Sequence, residues 1–392
     1  MRILMLHNRY KIPGGEDVST HMQVDLLRSN GHDVELVEES NDRVDTLGPL
    51  RTAVRTFWSP ESHRRVSHLL AEGDFDVMHV QNFFPLLSPS VYYAARKHRV
   101  PVLQSLRNFR LVCPEGMLFR DGKVCMDCVG RRVAWPSIEH ACYRGSRVGT
   151  SVVAAMSTGH SFAGTWANRV SRYVTPSRFA AEVYERAGWN PATLESIPNH
   201  IHPDPGVGLG TGGFALYVGR LAPPKGLDTL IAAWTHGALD YPLRIAGDGP
   251  LRPMVERAAA EHSAITYLGP LPPAAASDVM GEATVVVVPT VGIETFGRVA
   301  AESLAKGTPA IVSKLGGLPE IIDDEATGFH TRPGDPLDLA NHVRWMIEHP
   351  SDGFAMRHRA RAAYLERFTG ERVLEMWLSA YHSAIASNQD SH

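Results

Sequence analysis

The sequence predicts an α/β protein built as two doubly wound domains, and three observations carry that expectation. Short apolar runs alternate with helix-like segments through the first half of the chain. The stretch from Ile201 to Phe214, with five glycines and two prolines, then breaks all periodicity and reads as a linker. Beyond it the alternation restarts cleanly. At 392 residues the chain also exceeds one ordinary hydrophobic core.

In the first half, "RILMLH" reads as a buried strand followed by the glycine-bearing loop "NRYKIPGGED". The segment "VSTHMQVDLLRSNG" reads as a helix with Val18, Met22 and Leu26 on one stripe and Gly31 as its stop. "HDVELVEE", "FDVMHV", "VPVLQSL" and "RYVTPS" are further strands, with "PSVYYAARKHR" a helix between two of them. In the second half, "FALYVG", "LRIAG", "ITYLG", "TVVVVP" and "PAIVS" alternate with helical segments. A Rossmann-like domain over 1–205, with a cysteine-rich insertion at 108–145, is therefore expected. A second Rossmann-like domain spans 206–369, and a final helix, 370–392, is expected to return to the first domain. Ligands of such sheets bind at the carboxyl ends of the strands, so the two domains are expected to face a cleft.

Composition narrows the class. A hydrophobic share of 44% with 21% charged residues describes a soluble globular protein, and a net charge of -3 argues against nucleic acid as a partner. There is no apolar run of 18 residues to span a bilayer. The opening "MRILMLHNRY" is too short in apolar residues for a signal peptide, so a cytoplasmic protein is expected. The segment Arg51 to Arg65 interleaves arginines with Phe57 and Trp58, compatible with peripheral membrane contact or with a solvated helix and loop.

Three strand-to-helix turns in the second half carry the chemistry. "VGRLAPPKG" puts Arg220 and Lys225 beside flexible glycines, as a diphosphate would require. "IAGDGP" supplies another glycine turn with Gly249. "TVVVVPTVGIETFGRVAAES" runs a buried strand into Glu294, then opens a helix at Gly297 with Glu302 inside it. In the first half, Gly14 and Gly15 precede a helix start whose amides suit a phosphate. No GxGxxG fingerprint occurs there, which disfavours tightly bound NAD or FAD. "DFD" at Asp74 to Asp76 matches a metal-binding pattern, but Phe75 leads directly into a strand; His79 and Gln81 at that strand's end are expected to face the cleft. Cys125 and Cys128 form a C-x₂-C flanked by Cys113 and Cys142, around the Asp-Gly turn of a small hairpin. Four thiolates so spaced suit a structural zinc; four reduced thiols are the alternative.

Together these residues resemble the retaining GT-B glycosyltransferases of the large family 4 group. "ETFGRVAAE", "GRLAPPKG", "AGDGP", "GGED" and "IPNHI" match its motifs in order over nearly the whole chain. The resemblance implies that Glu302 holds the ribose of a nucleotide-sugar. It implies that Glu294 contacts the transferred sugar, with the backbone of Phe296, Gly297, Arg298 and Val299 near sugar and phosphates. Arg220 and Lys225 would neutralise the leaving diphosphate, Gly15 would approach it, Asn199 would lie in the linker-proximal motif, and Leu271 would lie near the base. Arg107 stands where members often have a histidine that touches the donor sugar. The implied activity is metal-independent transfer from a UDP- or GDP-sugar to an acceptor hydroxyl on a glycan, lipid-linked or small molecule. A sugar-nucleotide epimerase or hydrolase of the same fold, or a non-catalytic sugar-nucleotide-binding subunit, are the alternatives.

Overall fold

An apolar run following Met1 forms the first strand, β1 (Arg2–Arg9), with Ile3, Leu4, Met5 and Leu6 fully buried. The computed structural model describes residues 1–11, 14–237 and 239–389. Residues 12 and 13 of the first loop and 390–392 of the expected last helix therefore lie outside the described residues. The chain divides into two units.

The first unit comprises Met1–Leu118, Met126–Pro198 and the last helix from Val373 on. Its sheet also contains β2 (Asp33–Ser40), β3 (Val77–Asn82), β4 (Val102–Ser105), β7 (Arg172–Thr175) and β8 (Leu194–Ser196). All pair in parallel, in the order β2-β1-β3-β4-β7-β8. One core cluster joins Ile3, Met5 and Val77 of the sheet to Val373, Trp377 and Tyr381 of the last helix, Gly370–Gln389. That helix therefore contributes to the first unit's core, far from its neighbours in sequence. Phe119–Cys125 belongs to the second unit; it holds an antiparallel hairpin of β5 (Phe119–Arg120) and β6 (Lys123–Val124). Asp121 and Gly122 turn it with φ of 51° and 77°, as a tight hairpin demands.

The second unit continues from Asn199 to Arg372. Its strands are β9 (Ala215–Val218), β10 (Leu243–Ala246), β11 (Ile265–Gly269), β12 (Val285–Val288), β13 (Ala310–Ser313) and β14 (Gly328–Thr331). The order is β11-β10-β9-β12-β13-β14, again all parallel. Alternation explains why the valine run of β12 is continuous: Val285 and Val287 enter one core cluster and Val286 the other. In both sheets the strand order reverses once, between β1 and β3 and between β9 and β12. The loops leaving those four strands are the positions where a doubly wound sheet takes its ligand.

Two expectations are corrected. The buried face of the helix Gly15–Ser29 is Asp17, Ser19, Thr20, Gln23, Val24, Leu26 and Leu27, while Val18 is exposed. Its inner face begins polar because it meets buried His7 and Gln81 rather than an apolar core. The glycine-rich stretch 201–214 is not a free linker either. Gly208, Gly210 and Gly212 donate backbone hydrogen bonds to Lys306, Gly281 and Glu282, and the buried Arg357 guanidinium donates to the carbonyls of Gly208, Gly281 and Ala283. A Cβ at Gly208 would lie 2.2 Å from the Gly281 backbone, so glycine serves close packing there.

Candidate functional site

In the second unit the loops after β9, β10 and β12 are tied into one piece by their backbones. The Pro224 carbonyl accepts from the Val291 and Gly292 amides, both at 2.9 Å, and from the Thr290 hydroxyl at 2.6 Å. The Leu221 amide donates to Asp248 and the Gly219 amide to Ala246. These approaches need glycine: a Cβ at Gly226 would sit 1.9 Å from the Pro289 oxygen, and one at Gly249 would sit 2.4 Å from the Leu221 oxygen. Gly226 also holds φ of 70°.

This framework brings Lys225 to Glu294. The Lys225 ammonium donates to the Glu294 carboxylate across the switch point, each side chain partly exposed. Glu294 is anchored from behind, since its carbonyl accepts from the Gly317 amide at 2.8 Å. Tyr217 donates its hydroxyl to the Arg220 carbonyl at 2.9 Å, fixing the exposed Arg220 on the same loop. Burial pushes the Tyr217 hydroxyl well above the usual tyrosine range, and the Glu294 charge adds to it.

Gly297, with φ of 105° and no side chain to cap with, then opens the helix Arg298–Ala305. Its first turn aims backbone amides and the positive end of the dipole toward the Glu294 loop. Arg298 donates to Glu302 at 2.7 Å, one turn on. Phe296 points the other way: the residue is 4% exposed and its ring stacks edge-on against Phe368, so its side chain is not available to a ligand. Leu271 is half-buried on the loop beyond edge strand β11, two strands from the switch point, and Asn199 begins the unit.

The first unit builds its loop after β1 with side chains. Asp17 accepts from the Gly14 amide at 2.8 Å, from the Tyr10 amide at 3.2 Å, and pairs with His7 Nε2 at 2.9 Å. Burial raises the Asp17 carboxyl, but the bonds from His7, Gly14 and Tyr10 outweigh it and hold it below the usual range. Glu16 accepts from the Tyr10 hydroxyl at 3.1 Å and Asn108 Nδ2 at 3.2 Å, and its Oε1 is buried without a partner among the described residues. Burial pushes this carboxyl up, against the opposing charges of His7 and Arg107. Gly14 and Gly15 differ from the glycines of the second unit: a Cβ at either would meet nothing within 4 Å, and neither has positive φ.

Arg107 follows β4 and is held by two glutamines, donating to Gln81 Oε1 at 2.9 Å and Gln23 Oε1 at 3.2 Å. Gln23 in turn donates to the Tyr381 hydroxyl at 3.2 Å. A small, half-open cavity of about 20 Å³ lies beside Arg107, lined also by Asn82, Phe84, Asn108 and Arg110. His79 does not line an open site. It is fully buried, with its nitrogens 2.8 Å from the Tyr381 and Ser105 hydroxyls, because the last helix covers it.

The Asp74–Asp76 pattern is structural at Asp76, whose carboxylate accepts from the Arg2 amide at 2.7 Å. It precedes β3, at the end of the sheet opposite to the ligand loops. None of the four cysteines is in a disulfide; Cys113, Cys128 and Cys142 belong to the first unit and Cys125 to the second. Burial raises the Cys128 thiol to about 11, with nearby Cys113 adding. Among the described residues no group of three or more His, Cys, Asp or Glu side chains is set to hold a metal ion, so the zinc expectation gains no support from this arrangement.

Comparison with known proteins covers both units. Residues 208–364 match the model for glycosyl transferases group 1, and residues 14–200 match that for a glycosyl transferase 4-like domain. The chain belongs to the group 1 glycosyltransferases. An uncharacterized glycosyltransferase of Methanocaldococcus jannaschii is 31% identical over 183 residues, 43% of this chain and 45% of that protein. A glycogen synthase of Mycobacterium tuberculosis is 36% identical over 154 residues, 38% and 36% of the two chains. The chain thus matches less than half the length of these curated relatives. Among solved structures, Anabaena HepE in complex with UDP-glucose superposes with a TM-score of 0.67 over 100% of both chains at 18% identity. That likeness shows the fold, which is GT-B.

Proposed function

We propose that this chain is a retaining glycosyltransferase that moves a sugar from a nucleotide diphosphate sugar to an acceptor hydroxyl. The observation that supports it best is the Lys225–Glu294 pair at the switch point of the second sheet, where the fold predicts a ligand. With Arg220 on the same loop, Lys225 supplies fixed positive charge for a diphosphate. The helix start at Gly297 supplies backbone donors beside it. In this reading Glu302, oriented by Arg298, accepts from the two ribose hydroxyls, and Glu294 from hydroxyls of the sugar.

In this reading the C1–O bond to the diphosphate breaks, and its electron pair leaves with the phosphate oxygen. The acceptor oxygen bonds to C1 from the same face, and its proton passes to the departing phosphate, so configuration is retained. The two cations stabilise the charge that develops on the leaving group. No divalent ion is needed to supply that charge, and Asp76 is occupied in the sheet rather than at the ligand end. In the first unit, the helix start at Gly15 is a second place where a phosphate is accepted, the Gly14 amide already donating to Asp17.

Transfer assays across a panel of UDP- and GDP-sugars, chosen first by thermal shift, test this reading. Lys225→Ala and Glu294→Ala are each expected to lower the transfer rate by about 10²-fold or more with the melting temperature nearly kept. Unchanged rates in both variants would remove these residues from the reaction. Release of free sugar at equal rates with and without acceptor would make the chain a hydrolase instead.

A further inference from the structure

Two helices of the first unit turn apolar residues outward. The helix Pro49–Phe57 buries Thr56 and exposes Leu50 (78%), Val54 (62%) and Phe57 (42%), spaced four and three residues apart on one face. The helix Arg147–Phe162 exposes Val148 (78%) and Phe162 (72%), with the exposed Ala155 midway on the same stripe. These ends lie about 20 Å apart along the helix axis. The helices are joined. The Phe57 carbonyl lies 3.0 Å from His160 Nε2, and its ring lies so close to Gly159 that a Cβ there would be 2.9 Å away. The apolar stripes therefore belong to one rigid surface that a water-facing protein has no folding reason to keep.

The charge around this surface is one-sided. Neither helix contains Asp or Glu. From His140 to Asn168 the chain has no acidic residue and two arginines, Arg144 and Arg147, although the whole protein is net negative. Arg51, Arg144 and Arg147 are exposed. The acids flanking the first helix are already paired, Asp45 with Lys11 and Glu61 with Arg55 and Arg43.

We infer that this face docks onto an anionic lipid bilayer. Separate protruding apolar side chains need no matching pockets in lipid, where acyl chains close around them, and the arginines at the rim meet headgroup phosphates. A protein partner would have to present a shaped apolar surface of its own. The inference does not depend on which sugar is transferred or whether transfer occurs.

Vesicle co-sedimentation tests it on the whole chain, with phosphatidylglycerol–phosphatidylcholine vesicles against pure phosphatidylcholine. Binding to the anionic vesicles is expected, weakened by salt, and reduced at least about tenfold in the Leu50→Ser/Val54→Ser/Phe162→Ser variant. Arg51→Gln/Arg144→Gln/Arg147→Gln is expected to lose the preference for anionic over neutral vesicles. Because all six side chains are exposed, both variants should melt as the wild type does, and circular dichroism checks this. The inference is overturned if the wild type stays in the supernatant, or if the serine variant sediments equally well. Self-association without lipid that disappears in the serine variant would assign the face to a second copy and overturn it as well.

Discussion

The strand-end glycines of the two units are kept for opposite reasons. In the second unit a Cβ at Gly226, Gly247 or Gly249 would fall 1.9, 1.8 or 2.4 Å from a backbone oxygen, so the fold itself excludes any side chain. In the first unit Gly14 and Gly15 stand in open space with ordinary backbone angles, and the fold tolerates a methyl there. The second unit shapes its site with backbone packed on backbone. The first shapes its loop with side chains, chiefly Asp17 and Glu16, and leaves the glycine surface clear. A glycine that folding does not need is the better indicator of a close-approaching ligand.

Substitutions separate the two cases, and the largest effect should come from the second unit. Gly226→Ala must absorb both a positive φ and the overlap with Pro289, and should cost about 2–4 kcal/mol in urea unfolding. It should also slow transfer, because the Pro224 carbonyl that ties the two loops lies on the same turn. Gly15→Ala should leave stability unchanged or raise it by about 0.5 kcal/mol, yet slow transfer by roughly tenfold or more. A Gly15→Ala enzyme with wild-type kinetics would mean that nothing approaches that loop closely.

The smallest effect concerns the side-chain scaffold. Burial raises the Glu16 carboxyl above its unfolded value, so the folded state holds the proton more tightly. Stability from this group is then present at acid pH and falls as pH rises from about 4.5 through the folded value. Glu16→Gln keeps an acceptor for Tyr10 and cannot ionise. It should be more stable than wild type at neutral pH by on the order of 1 kcal/mol, the difference closing below about pH 4.5. Parallel melting curves of the two proteins over pH 4 to 8 would contradict this.

Periodicity made most strands legible, because a buried parallel strand is a short apolar run between turns. The strands β8 and β14 escaped it: "LES" and "GFHT" are short and partly polar, and pair only at sheet edges. The catalytic candidates in the second unit were legible as glycine turns with charges at fixed offsets. His79 was misjudged because nothing local reveals that a helix three hundred residues later covers it. The roles of Gln23, Tyr10 and Glu16 were hidden for the same reason, since each has a partner far away in sequence.

The amino-acid order by itself determined two parallel α/β sheets, their ligand-binding ends, and the family motifs carrying Arg220, Lys225, Glu294 and Glu302. These depend on local spacing and on which residues can leave water. Tertiary structure alone decided that Lys225 meets Glu294 and that Arg107 is braced by Gln81 and Gln23. It also decided that the apolar stripes of two helices face outward. Such facts depend on which surfaces remain after packing, and packing is settled between segments far apart in the chain.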